Sequence, residues 1–146
     1  GLDRKIFIAH YVTSDPLISI SNSLLNSEFI NWCESNKRDL HLIEGIGDSL
    51  KVRLNRHNIN STNDLAHTKW KDLSIILSDR KLQAISHYPE TWITQAMYIN
   101  SSDWLEAIKL QRKLSSNRSK DSDVSKIEKL AKKEIKDDIF LIRGVK

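Results

Sequence analysis

Between residues 21 and 114 apolar side chains recur every three or four positions, the spacing of one buried helix face. Leu25, Phe29, Trp32 and Cys33 define the first such face. Leu40, Leu42 and Ile43 fit a short helix that must end at Gly45, and Leu50 and Leu54 carry the next stripe behind Asp48, which predicts an N-cap. Ser61 followed by Asp64 resembles a capping box with the acid one methylene short. Thr68 is placed to cap a helix bearing Trp70, Leu73, Ile76 and Leu77. Pro89 interrupts, residues 91–98 resume with Trp92, Ala96 and Met97, and Ser101 or Ser102 caps a helix with Trp104, Leu105, Ile108 and Leu114. About seven mostly short helices are expected.

The ends differ. Residues 6–12 form a β-branched and aromatic run, and Thr13–Pro16 reads as a turn before the alternating LISIS. That pattern predicts a short N-terminal β-hairpin, with helical spacing as the alternative. Residues 115–123 are polar throughout and read as a linker. Val124, Ile127, Leu130, Ala131 and Ile135 then make a narrow stripe on a Lys-rich helix, whose alternating charges predict a solvated face.

Composition sharpens this to an all-α class. The 146 residues hold four glycines and two prolines, against about ten and seven for an average domain of this size. That scarcity excludes turn-rich sandwiches and barrels. The lone Cys33 excludes an internal disulfide and reads as a buried thiol. No run of about 18 apolar residues occurs, so no membrane partner is expected, and a cytoplasmic setting is the default. The net charge is +4. Residues 48–85 carry 7 basic and 4 acidic side chains, +3, and residues 106–146 carry 12 and 7, +5.

The most informative string is DLHLIEGIGDSLKVRLNRHNI, Asp39 to Ile59. Two glycines flanking Ile46 allow a tight turn between helices, with Ile46 anchored in the core and backbone amides facing outward. Amides at a helix N-terminus can hold a phosphate without any side chain. The candidate nucleic-acid-binding residues are therefore Gly45, Ile46 and Gly47, with Lys51 and Arg53 adding charge in the turns that follow.

These residues make the chain similar to helix-hairpin-helix domains of predicted flap-endonuclease-like DNA-binding proteins, a type often left without a stated function. The resemblance rests on Asp39, Leu40, Ile43–Gly47, Leu54, Asn58, Ile59, Thr62, Asp64–Ala66, Trp70 and Leu73, and on the segment Pro89–Leu114. It implies an all-helical fold and a nucleic-acid-binding or scaffold role over about half the chain. It does not imply a nuclease. Asp48 stands where such domains have proline, and as an N-cap its carboxylate would bond the Leu50 or Lys51 amide and repel a phosphate. Asn58 and Asn100 stand where they have helix-ending glycines, and Ile93 replaces a proline.

DLHLIEGIG at 39–47 aligns with DIFLIRGVK at 138–146, placing Gly144 on Gly45 and Lys146 on the second glycine. The sequence then stops, which reads as a piece of a longer protein with tandem motifs. The expected organisation is an N-terminal extension with a packing helix (1–36), a helix-hairpin-helix domain (37–114), a linker (115–123) and the start of a second motif (124–146).

The remaining candidates favour plain packing. Trp32, Trp70, Trp92 and Trp104 lie on apolar faces and are expected in the core rather than stacked on bases. None of the five histidines has metal-ligand spacing, and no nucleophile elbow or phosphate-binding loop occurs. No enzyme activity, cofactor or metal is expected. The leading reading is a module binding DNA or RNA backbone; the alternative is a scaffold that binds another protein or itself.

Overall fold

The computed structural model describes the backbone of residues 27–116 and 124–142, and the side chains of 28–115 and 124–134. Within these residues the fold is all-α. Eight α-helices and two 3-10 turns are present and no strand. The helices are α1 (Ser27–Asn36), α2 (Asp48–Arg56), α3 (Thr62–Ala66), α4 (Trp70–Ile76), α5 (Arg80–Ile85), α6 (Trp92–Asn100), α7 (Trp104–Ser116) and α8 (Lys126–Ile142). The 3-10 turns are Leu40–Leu42 and Pro89–Thr91. The expected N-terminal β-hairpin, Leu25 and the Gly144–Lys146 half-motif lie outside the described residues.

One core serves the eight helices and the first 3-10 turn. Trp92 and Trp104 fill its centre, with Phe29 of α1, Ile46 of the glycine turn, Leu54 of α2 and Leu73 of α4 fully buried around them. The stripe on α8 joins it through Ile127 and Ala131. The Lys-rich helix is packed against α1 and α7, and Lys129, Lys132 and Lys133 keep the expected solvated face. Cys33 is fully buried, and burial pushes its thiol far up, which leaves it a small apolar filler.

Several local expectations hold. Ser61 caps α3 by accepting the Asp64 N–H at 3.1 Å, and the Asp64 carboxylate reaches back to the Asn60 N–H at 2.9 Å. The shorter acid of this capping box takes the amide one residue further out. Asn58 ends α2 in the left-handed conformation, φ 65°, as expected of an asparagine standing in for glycine.

Others are corrected. The N-cap of α2 is Gly47, not Asp48, which lies one residue inside the helix. Thr68 does not cap α4; its hydroxyl donates back to the Asp64 carbonyl at 2.8 Å, and Lys69 is the N-cap without a side-chain bond. Asn100 stays helical. The left-handed residue after α6 is Ser102, φ 59°, and Asp103 accepts the first bond of α7. Ser115 and Ser116 finish α7 instead of opening a linker, and Ser115 is buried. Trp70 is 48% exposed rather than packed in the core, and Trp32 is only part-buried. The short α5 was not expected at all; Asp79 caps it, accepting the Lys81 N–H at 2.8 Å.

Glu34 ties α1 to the α6–α7 junction. It accepts from the Ser102 hydroxyl at 3.0 Å and the Trp104 indole at 3.2 Å, with the Lys37 ammonium at 3.4 Å. Partial burial pushes its carboxyl up, but these three partners outweigh that and hold it below its ordinary value of 4.5. A lowered folded value gives stability that is complete above the unfolded value and lost as pH falls through the folded one. Wild type is therefore expected to exceed Glu34→Gln in denaturant midpoint near neutral pH. The gap is expected to narrow below about pH 4. A gap that is constant with pH contradicts this.

Candidate functional site at the glycine turn

The chain enters the turn through Asp39, whose carboxylate accepts the His41 N–H at 2.9 Å and caps the first 3-10 turn. Leu40, Leu42 and Ile43 then drop into the core, and the Ile46 N–H closes on the Ile43 carbonyl at 3.1 Å. Gly45 is required twice over. Its φ is +106°, and a Cβ there would lie 2.2 Å from the His87 carbonyl oxygen and 2.6 Å from Trp92 Nε1. Those two groups are themselves bonded, indole N–H to carbonyl, at 2.9 Å. Ile46 is fully buried, as its anchoring role requires.

Gly47 differs. Its φ of −102° suits any residue, and nothing lies within 4 Å of a Cβ built there. It is exposed at the N-terminus of α2, where no side chain caps the helix. The first helical bond runs from the Lys51 N–H to the Gly47 carbonyl, so the N–H groups of Asp48, Ser49 and Leu50 precede it. No acceptor meets the Gly47, Asp48 or Ser49 N–H among the described residues. The Asp48 carboxylate, expected to bond the helix amides, turns instead to His41 Nε2 at 2.7 Å and is 95% exposed.

The two candidate cations separate. Lys51 and Arg53 are two positions apart on a helix and face different ways. Lys51 returns to the turn side and pairs with Asp39 at 3.6 Å. Arg53 pairs with Asp79, the cap of α5, at 3.3 Å, and its Nε is buried without an acceptor. The turn and Lys51 are thus brought together, while Arg53 belongs to the α2–α5 contact.

Three residues that hold the turn escape a reading of local motifs. Gln95 of α6 copies a backbone strand: its Oε1 accepts the Glu44 N–H at 2.8 Å and its Nε2 donates to the Glu44 carbonyl at 3.2 Å. Gln111 of α7 donates to the Leu42 carbonyl at 2.6 Å and to Gln95 Oε1 at 2.9 Å. Both glutamines are fully buried. The Lys126 ammonium of α8 donates to the Ile43 carbonyl at 3.1 Å and to the Ile46 carbonyl. The available signal was position: Gln95 sits on the Trp92–Ala96–Ile99 face and Gln111 on the Trp104–Ala107–Ile108 face, each a polar residue within an apolar stripe.

An open cleft of about 490 Å³ lies at the other end of α2, bordered by His57, Asn58, His67, Lys69 and Asp72. The nine residues of α2, at about 1.5 Å each, place it roughly 13 Å from the turn. No group of three metal-ligating side chains occurs among the described residues. No helix among them is long and apolar enough to cross a membrane. Comparison with known proteins finds no matching family model, curated protein or solved structure.

Proposed function

We propose that this chain carries a non-enzymatic helix-hairpin-helix module that grips DNA or RNA backbone without base specificity. The observation that carries this reading is the contrast within the turn. Gly45 is consumed by packing against His87 and Trp92, whereas Gly47 is exposed, sterically open and followed by an uncapped helix. An uncapped N-terminus carries partial positive charge and aimed donors, which suit a phosphate. The Asp48 carboxylate bonds His41 rather than the helix amides, so those amides keep no acceptor among the described residues, while its charge still opposes a phosphate. Lys51, paired with Asp39 on the turn side of α2, supplies a sequence-independent charge.

The test is binding of labelled duplex and single-stranded oligonucleotides across a salt series. Affinity is expected to fall steeply between about 50 and 200 mM salt. Lys51→Glu is expected to weaken all sequences alike and to flatten the salt slope by about one unit. Absence of binding at low salt overturns the proposal.

A scaffold without nucleic acid is the second reading. Two observations favour it: Lys51 and Arg53 are both paired with carboxylates, and Trp70, Ile75 and Met97 are exposed. A discrete oligomer or a tight protein partner, with no oligonucleotide affinity, selects this reading.

A further inference from the structure

Lys126 lies 80 residues from Ile46 in sequence, yet its ammonium meets the carbonyls on both sides of the turn. We infer that Lys126 is a positioning residue: it sets the orientation of the Ile46–Gly47 peptide and so determines where the Gly47 N–H points.

The geometry follows from peptide planarity. In a trans peptide the C=O and the N–H point in opposite directions, and no cis peptide occurs among the described residues. Two peptides of the turn have their carbonyls on Lys126. In the Ile43–Glu44 peptide the opposite end is also held, because the Glu44 N–H donates to Gln95 at 2.8 Å. That peptide is fixed at both ends. In the Ile46–Gly47 peptide only the carbonyl end is held, and the Gly47 N–H faces away from Lys126 with no acceptor among the described residues. A cation on the carbonyl also draws electron density from the peptide and strengthens its N–H as a donor.

Lys126 is itself rigidly placed. Ser125 and Glu128 cap α8 reciprocally: the Glu128 N–H donates to the Ser125 hydroxyl at 3.1 Å and the Ser125 N–H to the Glu128 carboxylate at 3.3 Å. Arg112 clamps that carboxylate through two bonds of 2.6 and 2.7 Å. The Ile127 N–H donates to Gln111 Oε1 at 3.1 Å, and Gln111 in turn holds Leu42. The first turn of α8 is therefore coupled to the glycine turn, and displacement of α8 would release the Gly47 peptide. The consequence for binding rests on the proposed function; the positioning itself does not.

The experiment begins on the unaltered chain by nuclear magnetic resonance. A slowly exchanging Lys126 ammonium with scalar coupling to the Ile43 and Ile46 carbonyl carbons is expected, and its absence overturns the inference. Lys126→Met is then expected to shift the Gly47 amide resonance and to speed exchange of the Ile46 N–H by about tenfold, the scale of one charge-assisted hydrogen bond. Lys126→Arg is expected to restore most of both. Lys129→Met, which removes an exposed charge from the same helix, is expected to change neither. A folded Lys126→Met with unchanged Gly47 and Ile46 amides overturns the inference. For binding, duplex DNA affinity is expected to fall about five- to tenfold in Lys126→Met and little in Lys129→Met. Equal affinities refute the binding consequence. If the spectra change as expected while even the unaltered chain binds no DNA, the positioning stands and the nucleic-acid reading falls.

Discussion

Gly45→Ala is expected to cost about 3–5 kcal/mol, the sum of left-handed backbone strain and forced overpacking. The added methyl would meet the His87 carbonyl at 2.2 Å and Trp92 Nε1 at 2.6 Å. Neither neighbour can yield cheaply: one is backbone, the other the ring of a fully buried tryptophan, and the two are bonded to each other. For a chain of this size the loss corresponds to a melting temperature lower by about 10 °C or more. Gly47→Ala is the matched control. Its φ of −102° and the empty space around it predict a change of less than about 1 kcal/mol, because the unfolded-state gain is offset by alanine's poorer fit at an N-cap. Denaturant melts of the two variants decide the point. Equal losses at both glycines would mean that the turn is not held as described.

Arg112→Met is expected to be similarly severe. The Glu128 side chain is 2% exposed and that of Arg112 11%, and the pair is bidentate. Removing the guanidinium leaves a buried carboxylate facing only the Ser125 N–H at 3.3 Å. Breaking one side of such a pair costs about 3–5 kcal/mol. The double variant Arg112→Met with Glu128→Leu removes both charges, and it is expected to be more stable than the single variant by about 2 kcal/mol, less the lost cap on α8. A double variant no more stable than Arg112→Met alone would contradict a buried-charge origin for the loss.

Helical spacing together with the scarcity of glycine and proline was enough to read an all-α class, and the glycine-flanked position of Ile46 was enough to read it as buried, whereas the two glycines read alike and differ only in the conformation and surroundings that the tertiary fold gives them. The first two readings depend on local spacing and composition. Failures of two kinds mark the limits of that information. One is a shift of a single residue at helix ends. Asp48 reads as a cap because aspartate favours that position, but the extended backbone of Gly47 takes the cap and His41 draws the carboxylate away. Asn58 and Asn100 look alike, yet only Asn58 turns left-handed; after α6 that conformation falls to Ser102, whose hydroxyl bonds Glu34 of the distant first helix and Lys37 just after it.

The other kind concerns partners far apart in the chain. Gln95, Gln111 and Lys126 meet the turn across 51, 69 and 80 residues. Periodicity identifies the face on which such a residue lies, not the carbonyl it will find there. Charge counting has the same limit. The +3 of residues 48–85 suggested a basic patch, but Asp39 and Asp79 take Lys51 and Arg53 individually. The exposure of Trp70 belongs here too, because the helix α4 that carries it buries Leu73 and leaves the first turn outside.

The opposite fates of Gly45 and Gly47 are the centre of this account. The most direct test follows backbone amide resonances while unlabelled duplex DNA is titrated into the protein at low salt. Gly47, Asp48 and Ser49 are expected to move first and furthest, and Lys51→Glu, which places a negative charge beside the turn, is expected to diminish those shifts. No shift at any DNA concentration, or shifts confined to the Trp70 face of α4 with the turn unmoved, would contradict this account.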